Sequence, residues 1–284
     1  FQVAWDAVTS NGKQWAYPIS MEVLTMVYNK DLISEPPKTY EELPALQQKL
    51  KAKGIRAMGW ELKSAYYSWP LLAAGGANIF QRDLMGNYLP KQTGVNQPSV
   101  VKGAEFLQRM IKEDVLSASL ATKDAEDGMK SGKLAIIVTG PWAWADLAKA
   151  GIRYGIAPLP SFDGRPARPF VGVVTAMVSA ASPNKKEAAD FLENSVVTPQ
   201  GLQEISKLRP LGIPASKEVF WNFYSDPNIR KAMESVFGGY VMPNNPEMQF
   251  YWKHFDKALG EVITGGAKPK VAFDAAAKAI AAGQ

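Results

Sequence analysis

The sequence predicts an α/β fold on three observations. Short apolar runs recur along the chain, amphipathic stretches with helical spacing lie between them, and Gly, Pro, Asn and Asp punctuate the joints. Alternation of this kind implies mostly parallel strands joined through helices. Glu22-Val-Leu-Thr-Met-Val-Tyr28 reads as a strand. Residues 36–39 read as a turn, and Thr39 followed by Glu42 fits a capping box for the helix that carries Leu43, Leu46 and Leu50. Gly54 ends that helix and a strand begins at Ile55. A helix covers 99–113, with Val101, Ala104, Phe106, Leu107 and Ile111 on its apolar side. Residues 133–139 and 154–159 are further strands. Residues 158–169, with four prolines in twelve positions, read as a crossing segment or linker. A strand at 170–178 follows, then a helix opening at 182–187 and running through Phe191 and Leu192. The last third is helical, over 228–237, 247–264 and 269–282.

At 284 residues, 46% hydrophobic and 21% charged, the chain is a globular protein of one large or two ordinary domains. No apolar run reaches the ~20 residues that span a bilayer. The absence of cysteine excludes disulfides, thiolate metal sites and cysteine nucleophiles, and a single histidine, His254, excludes a multi-histidine metal centre. The net charge of +5 is spread along the chain, which gives nucleic-acid binding no support. Neither a Walker-type glycine loop nor a G-x-G-x-x-G motif follows a strand, so no cofactor is expected. The acidic groups Glu41-Glu42 and Asp124/Glu126/Asp127 have the residue types of a glycosidase pair, but solvated helix surfaces carry such groups routinely.

Aromatic residues gather after predicted strands. Trp60, Tyr66, Tyr67 and Trp69 follow one, and Trp142 and Trp144 follow the buried run Lys133-Leu-Ala-Ile-Ile-Val-Thr139 through a Gly140-Pro141 turn. Gly140 is read as allowing a sharp turn, and Pro141 as suited to a first helical position. Ligand crevices of open α/β sheets lie at such strand ends. Both tryptophans could equally be core, the common fate of that residue. Trp60, Trp69 and Trp144 are expected to pack behind any site. Tyr251 and Trp252 follow the polar turn Met242-Pro-Asn-Asn-Pro246.

Ala16-Tyr-Pro-Ile19, Glu22, Tyr28-Asn-Lys-Asp-Leu32, 36–45, Gly140-Pro-Trp-Ala-Trp144, Pro169-Phe-Val-Gly172, 180–185, Phe191-Leu-Glu-Asn194 and the 242–248 turn together resemble the maltose-binding protein family, the periplasmic receptors of maltodextrin ABC importers. The resemblance is collinear over nearly the whole chain. It implies a type II periplasmic-binding fold with two α/β lobes, a hinge and sugar in the cleft. It also implies a monomer with no catalytic role, working with membrane permease subunits. Residues 1–21 and 170–225 would belong to the N-terminal lobe, and 22–169 with 226–284 to the C-terminal lobe. By position, Glu22 would contact sugar hydroxyls, Tyr66, Trp142 and Trp252 would be aromatic platforms, and Met242 a nearby apolar contact. Pyranose C–H faces stack on such rings, and carboxylates accept from hydroxyls.

The chain departs from the family pattern at Ser64 and Ala65, where close relatives carry Glu-Pro, and at Asp256, where they carry Arg. These changes are expected to shift sugar preference or weaken binding. The resemblance also implies a start well inside the family's sequence, with the N-terminal lobe incomplete, the opposite cleft wall missing and apolar sheet surface exposed. Three rings burying ~50 Å² each at ~25 cal/mol/Å² contribute only ~1 kcal/mol apiece. A micromolar complex needs ~8 kcal/mol, so a single wall is expected to bind weakly.

Overall fold

The computed structural model describes residues 1–10, 12–208 and 211–283. Eight strands form two four-stranded sheets: β1 (Tyr17–Val23), β2 (Thr25–Asn29), β3 (Arg56–Gly59), β4 (Leu134–Thr139), β5 (Tyr154–Ala157), β6 (Phe170–Ala176), β7 (Ile213–Pro214) and β8 (Tyr240–Val241). The first sheet has the order β7-β1-β6-β8 and the second β3-β4-β2-β5. Two short hairpins, Thr9–Ser10 with Lys13–Gln14 and Phe80–Arg82 with Tyr88–Thr93, complete the described strands.

The strand expected at 22–28 is two strands. Leu24 alone separates β1 from β2, and the chain passes there from one sheet into the other. That passage also overturns the expectation of mostly parallel strands. β3, β4 and β5 point the same way, as strands joined through helices do, but β2 enters directly from β1 and sits between β4 and β5 running against both. In the first sheet β1 likewise runs against its neighbours β6 and β7. Among the described strands only β6 with β8 and β3 with β4 pair in parallel.

β4 is buried at every position, which explains its unbroken apolar run. The helix Pro98–Lys112 turns Val101, Ala104, Phe106 and Leu107 inward. Met248–Ile263 and Pro269–Ala282 pack on each other and on that helix. One core cluster joins Trp60, Trp69, Phe170, Phe255 and Phe273. Another takes Met21, Val23, Val27, Ile137 and Val171 from strands of both sheets, so the two sheets share buried surface.

Local chemistry departs from expectation at Thr39 and adds detail at two other places. Thr39 does not cap a backbone amide: it precedes a 3-10 turn (Tyr40–Glu42), and its hydroxyl donates to the Glu42 carboxylate at 3.5 Å. Residues 158–169 are anchored: Ser161 N–H donates to Lys38 O at 2.9 Å, Arg168 N–H to Pro70 O at 2.9 Å, and Phe162 is buried 5.0 Å from the Phe106 ring. The helix opening near 182 is Lys185–Phe191 and continues as a π-turn, Leu192–Val196. No side chain of Lys185–Phe191 is buried, and Met177 and Phe191 are 68% and 61% exposed.

Candidate functional site

Side chains alternate faces along a strand, so Phe170 and Gly172 of β6 share a face. Phe170, at 1% exposure, is buried there. Glu22 of β1 stands directly opposite Gly172, and Tyr240 of β8 opposite Phe170, which puts both on the same face. Met242 lies two residues beyond Tyr240, its N–H donating to Val171 O at 3.1 Å. A Cβ at Gly172 would only just touch the Glu22 backbone oxygen and Cβ, at 3.8 and 4.0 Å.

Two helices and one turn bring aromatic rings to this face. Tyr66 comes from the helix Ala65–Leu72 and stacks on Phe170 with centroids 6.1 Å apart. Trp252 comes from the helix Met248–Ile263 and meets Phe170 edge-on at 6.1 Å. Trp142, in the 3-10 turn Pro141–Ala143 that follows β4, reaches the group through Tyr66, 6.3 Å away. All three rings are partly exposed and packed against the core. Of the five residues singled out by sequence, Tyr66 and Trp252 meet the buried Phe170 ring, Trp142 meets Tyr66, and Glu22 and Met242 stand on the same side of the sheet.

Electrostatics link the carboxylate to the platform. The Tyr66 hydroxyl is pushed well above its ordinary range, by burial first and then by the negative charge of Glu22. Tyr67 is raised by burial, and hydrogen bonding with Thr122 and Trp142 opposes that shift.

The support behind the rings is tightly bonded. The Trp60 indole N–H donates to Ser68 Oγ at 3.1 Å, and that hydroxyl donates to Leu62 O at 2.7 Å. The Trp69 indole donates to Tyr240 Oη at 2.6 Å, and the Arg168 guanidinium lies over the Tyr240 ring. Trp60, Trp69 and Trp144 are buried at 1%, 0% and 6% exposure.

The structure gives Gly140 a role other than turning. Its backbone is extended (φ −118°, ψ −172°), a conformation open to most residues. The Trp142 indole folds back over it, and a Cβ there would lie 2.2 Å from the ring.

The sequence does not single out Phe170, the residue on which the rings converge. Its only local signal is a large aromatic opening a strand after a proline, and that pattern does not distinguish a hub from ordinary core. An open cleft of about 840 Å³ lies elsewhere, lined by Trp15, Tyr88, Val173, Val241 and Asn245, and none of the five residues borders it. Val173 and Val241 alternate with Gly172 and Tyr240, so that cleft adjoins the other face of the sheet. The acidic groups occupy helix surfaces: Glu41 accepts from Asp163 N at 2.8 Å, and Asp124 from Ala121 N at 3.3 Å. Ala65 and Asp256, two of the positions at which the chain departs from the family pattern, are joined, the Ala65 amide donating to Asp256 Oδ1 at 2.6 Å.

A family model described as bacterial extracellular solute-binding protein matches residues 2–232. This chain belongs to that family. Its relatives include a galactooligosaccharide-binding protein of Bacillus subtilis, 33% identical over 282 residues, covering 94% of this chain and 65% of the relative. A maltotriose-binding protein of Pyrococcus abyssi is 29% identical, covering 92% of this chain and 57% of the relative. A maltodextrin-binding protein of Bacillus subtilis is 25% identical, covering 91% and 64%. The chain thus spans 57–65% of the length of these relatives. The mixed α/β architecture with two sheets suits a solute-binding protein.

Proposed function

We propose that the Phe170 face forms one wall of an oligosaccharide cleft in a non-enzymatic receptor. The receptor delivers its sugar to the permease subunits of an ABC importer, working in the periplasm or at the cell surface. One observation carries this reading: the partly exposed rings of Tyr66 and Trp252 meet buried Phe170, Trp142 joins them through Tyr66, and the Glu22 carboxylate lies near Tyr66. Stacked pyranose rings and a hydroxyl acceptor are the chemistry such a wall supplies. Met242 adds apolar contact at its rim.

On this reading residues 1–23 and 170–225, with β8, belong to one lobe, and 24–169 with the rest of 226–284 to the other, a division moved from 21/22 to keep β1 and β8 within their sheet. The passage at Leu24 is one strand of the hinge, and the receptor acts as a monomer that closes around its ligand. Maltodextrins are the first candidate ligands, supported by relatives named for maltotriose and maltodextrin. Galactooligosaccharides are the second, supported by the relative named for them at 33% identity. A glycoside-processing enzyme would use the same wall but release reducing sugar.

The test is a titration of the chain with maltotriose and with a β-galactotriose, following tryptophan emission. Weak saturable binding to one of them, lost in Trp142→Ala, is expected. A chain that binds neither sugar, or that binds unchanged without Trp142, refutes the site. Reducing-sugar release during the incubation refutes the receptor.

A further inference from the structure

The helix that presents Tyr66 lacks a cap of its own. Ser64 occupies the N-cap position of Ala65–Leu72, yet its side chain makes no capping hydrogen bond. The first amides of a helix need acceptors, and a short helix without them frays from that end. Here the acceptor arrives from a distant element: Asp256 Oδ1, on the helix Met248–Ile263, takes the Ala65 N–H at 2.6 Å across 191 residues of sequence. Tyr66 is the next residue after the bonded amide. Trp252 lies four residues before Asp256, on the same helical face. One hydrogen bond therefore ties the carrier of one ring to the carrier of the other.

Ring contacts between these helices lie further along the Tyr66 helix. Trp69 meets Tyr251 edge-on at 5.7 Å and Phe255 at 5.6 Å. Those apolar contacts hold the middle of the helix, while its first turn is held by buried Ala65, by the stacking of Tyr66 on Phe170 and by the bond to Asp256. A half-buried carboxylate is costly to place, since burial disfavours its charge, and the Ala65 amide is the compensating partner.

We propose that Asp256 is a positioning residue for the aromatic wall: by clamping the first amide of the Tyr66 helix to the Trp252 helix, it sets the spacing of the two rings and so the oligosaccharide they accept. This rests on the oligosaccharide reading of the wall, whereas the clamp itself can be measured without any ligand.

The experiment uses the whole chain and three variants. Asp256→Ala removes the acceptor. Asp256→Asn keeps a carbonyl oxygen in its place. Ala65→Pro removes the donor, at a first helical position where proline is tolerated and after a residue, Ser64, whose extended backbone (φ −79°, ψ 121°) suits it. Two readouts are taken: hydrogen exchange of the Ala65 and Tyr66 amides without ligand, and sugar affinity by tryptophan emission.

The expected result is loss of protection in Asp256→Ala and retention in Asp256→Asn. Affinity should fall about fivefold in Asp256→Ala and Ala65→Pro, the size of one lost cap, and less than twofold in Asp256→Asn. An unprotected Ala65 amide in the unaltered chain overturns the clamp whatever the sugar data show. Unchanged affinity in both Asp256→Ala and Ala65→Pro overturns the positioning role, as does an Asp256→Asn variant that loses as much as Asp256→Ala. If the clamp is measured but the unaltered chain binds no sugar, the clamp stands and the oligosaccharide reading falls. Should Asp256→Ala fail to fold, Ala65→Pro tests the same bond from the donor's side by the affinity readout.

Discussion

Gly140 offers a sharp test of how the Trp142 platform is held. An alanine Cβ at this position would lie 2.2, 2.4 and 2.8 Å from Cζ3, Cη2 and Cε3 of the Trp142 indole. Ordinary contact begins near 3.4 Å, so the ring must withdraw by about 1 Å or swing away. The extended backbone at Gly140 accepts alanine without strain, so the clash is the main cost. Overpacking of this kind costs ~1–3 kcal/mol, and Gly140→Ala should destabilise the chain by that amount. In a Trp142→Ala background the obstruction is gone, and the same substitution should cost under ~0.5 kcal/mol. Urea unfolding followed by circular dichroism on the four members of the cycle measures the coupling. Equal cost of Gly140→Ala in both backgrounds would falsify the account, because it would mean that the indole does not rest on Gly140.

Three further outcomes follow from the same packing. Phe170→Ala removes a buried ring that meets Tyr66, Trp69, Tyr240, Tyr251 and Trp252, and should cost ~3–5 kcal/mol in urea unfolding; a loss below 1 kcal/mol would contradict its role as hub. Trp142→Phe should weaken sugar binding with little loss of stability, while Trp144→Phe should do the reverse because Trp144 is buried; matched effects on both properties would erase the distinction between platform and support. Asp256 is raised from its ordinary value by burial first and by Glu61, against the opposing Ala65 hydrogen bond. A carboxyl raised on folding contributes stability below its unfolded pKa of about 3.9 and loses that contribution as pH rises through its folded value. Asp256→Asn should therefore melt above the unaltered chain at pH 7, with the gap closing toward pH 4. A gap that is constant with pH would sink that reasoning.

The amino-acid sequence by itself determined the longest helices and the most buried strand, because a helix or a buried strand writes its period into adjacent residues. Pro269–Ala282 has the expected bounds, Pro98–Lys112 and Met248–Ile263 lie within a residue of theirs, and β4 shows its burial as an unbroken apolar run. The residue types and the collinear resemblance also pointed to the family to which the chain belongs, and to Glu22, Tyr66, Trp142, Met242 and Trp252 as a group. What only the tertiary structure decided concerns partners distant in sequence. No local pattern marks Leu24 as the point where one extended segment passes between two sheets, and so none reveals that β1 and β2 run against their neighbours. Phe170 looks like any core aromatic until rings from two helices are seen on it. Gly140 reads as a turn residue until an indole is found lying over its α-carbon. The bond from Ala65 to Asp256 joins residues 191 positions apart. Periodicity is a property of neighbours along the chain, whereas strand direction, ring convergence and borrowed caps depend on which surfaces bury each other, and that is settled only when the whole chain packs.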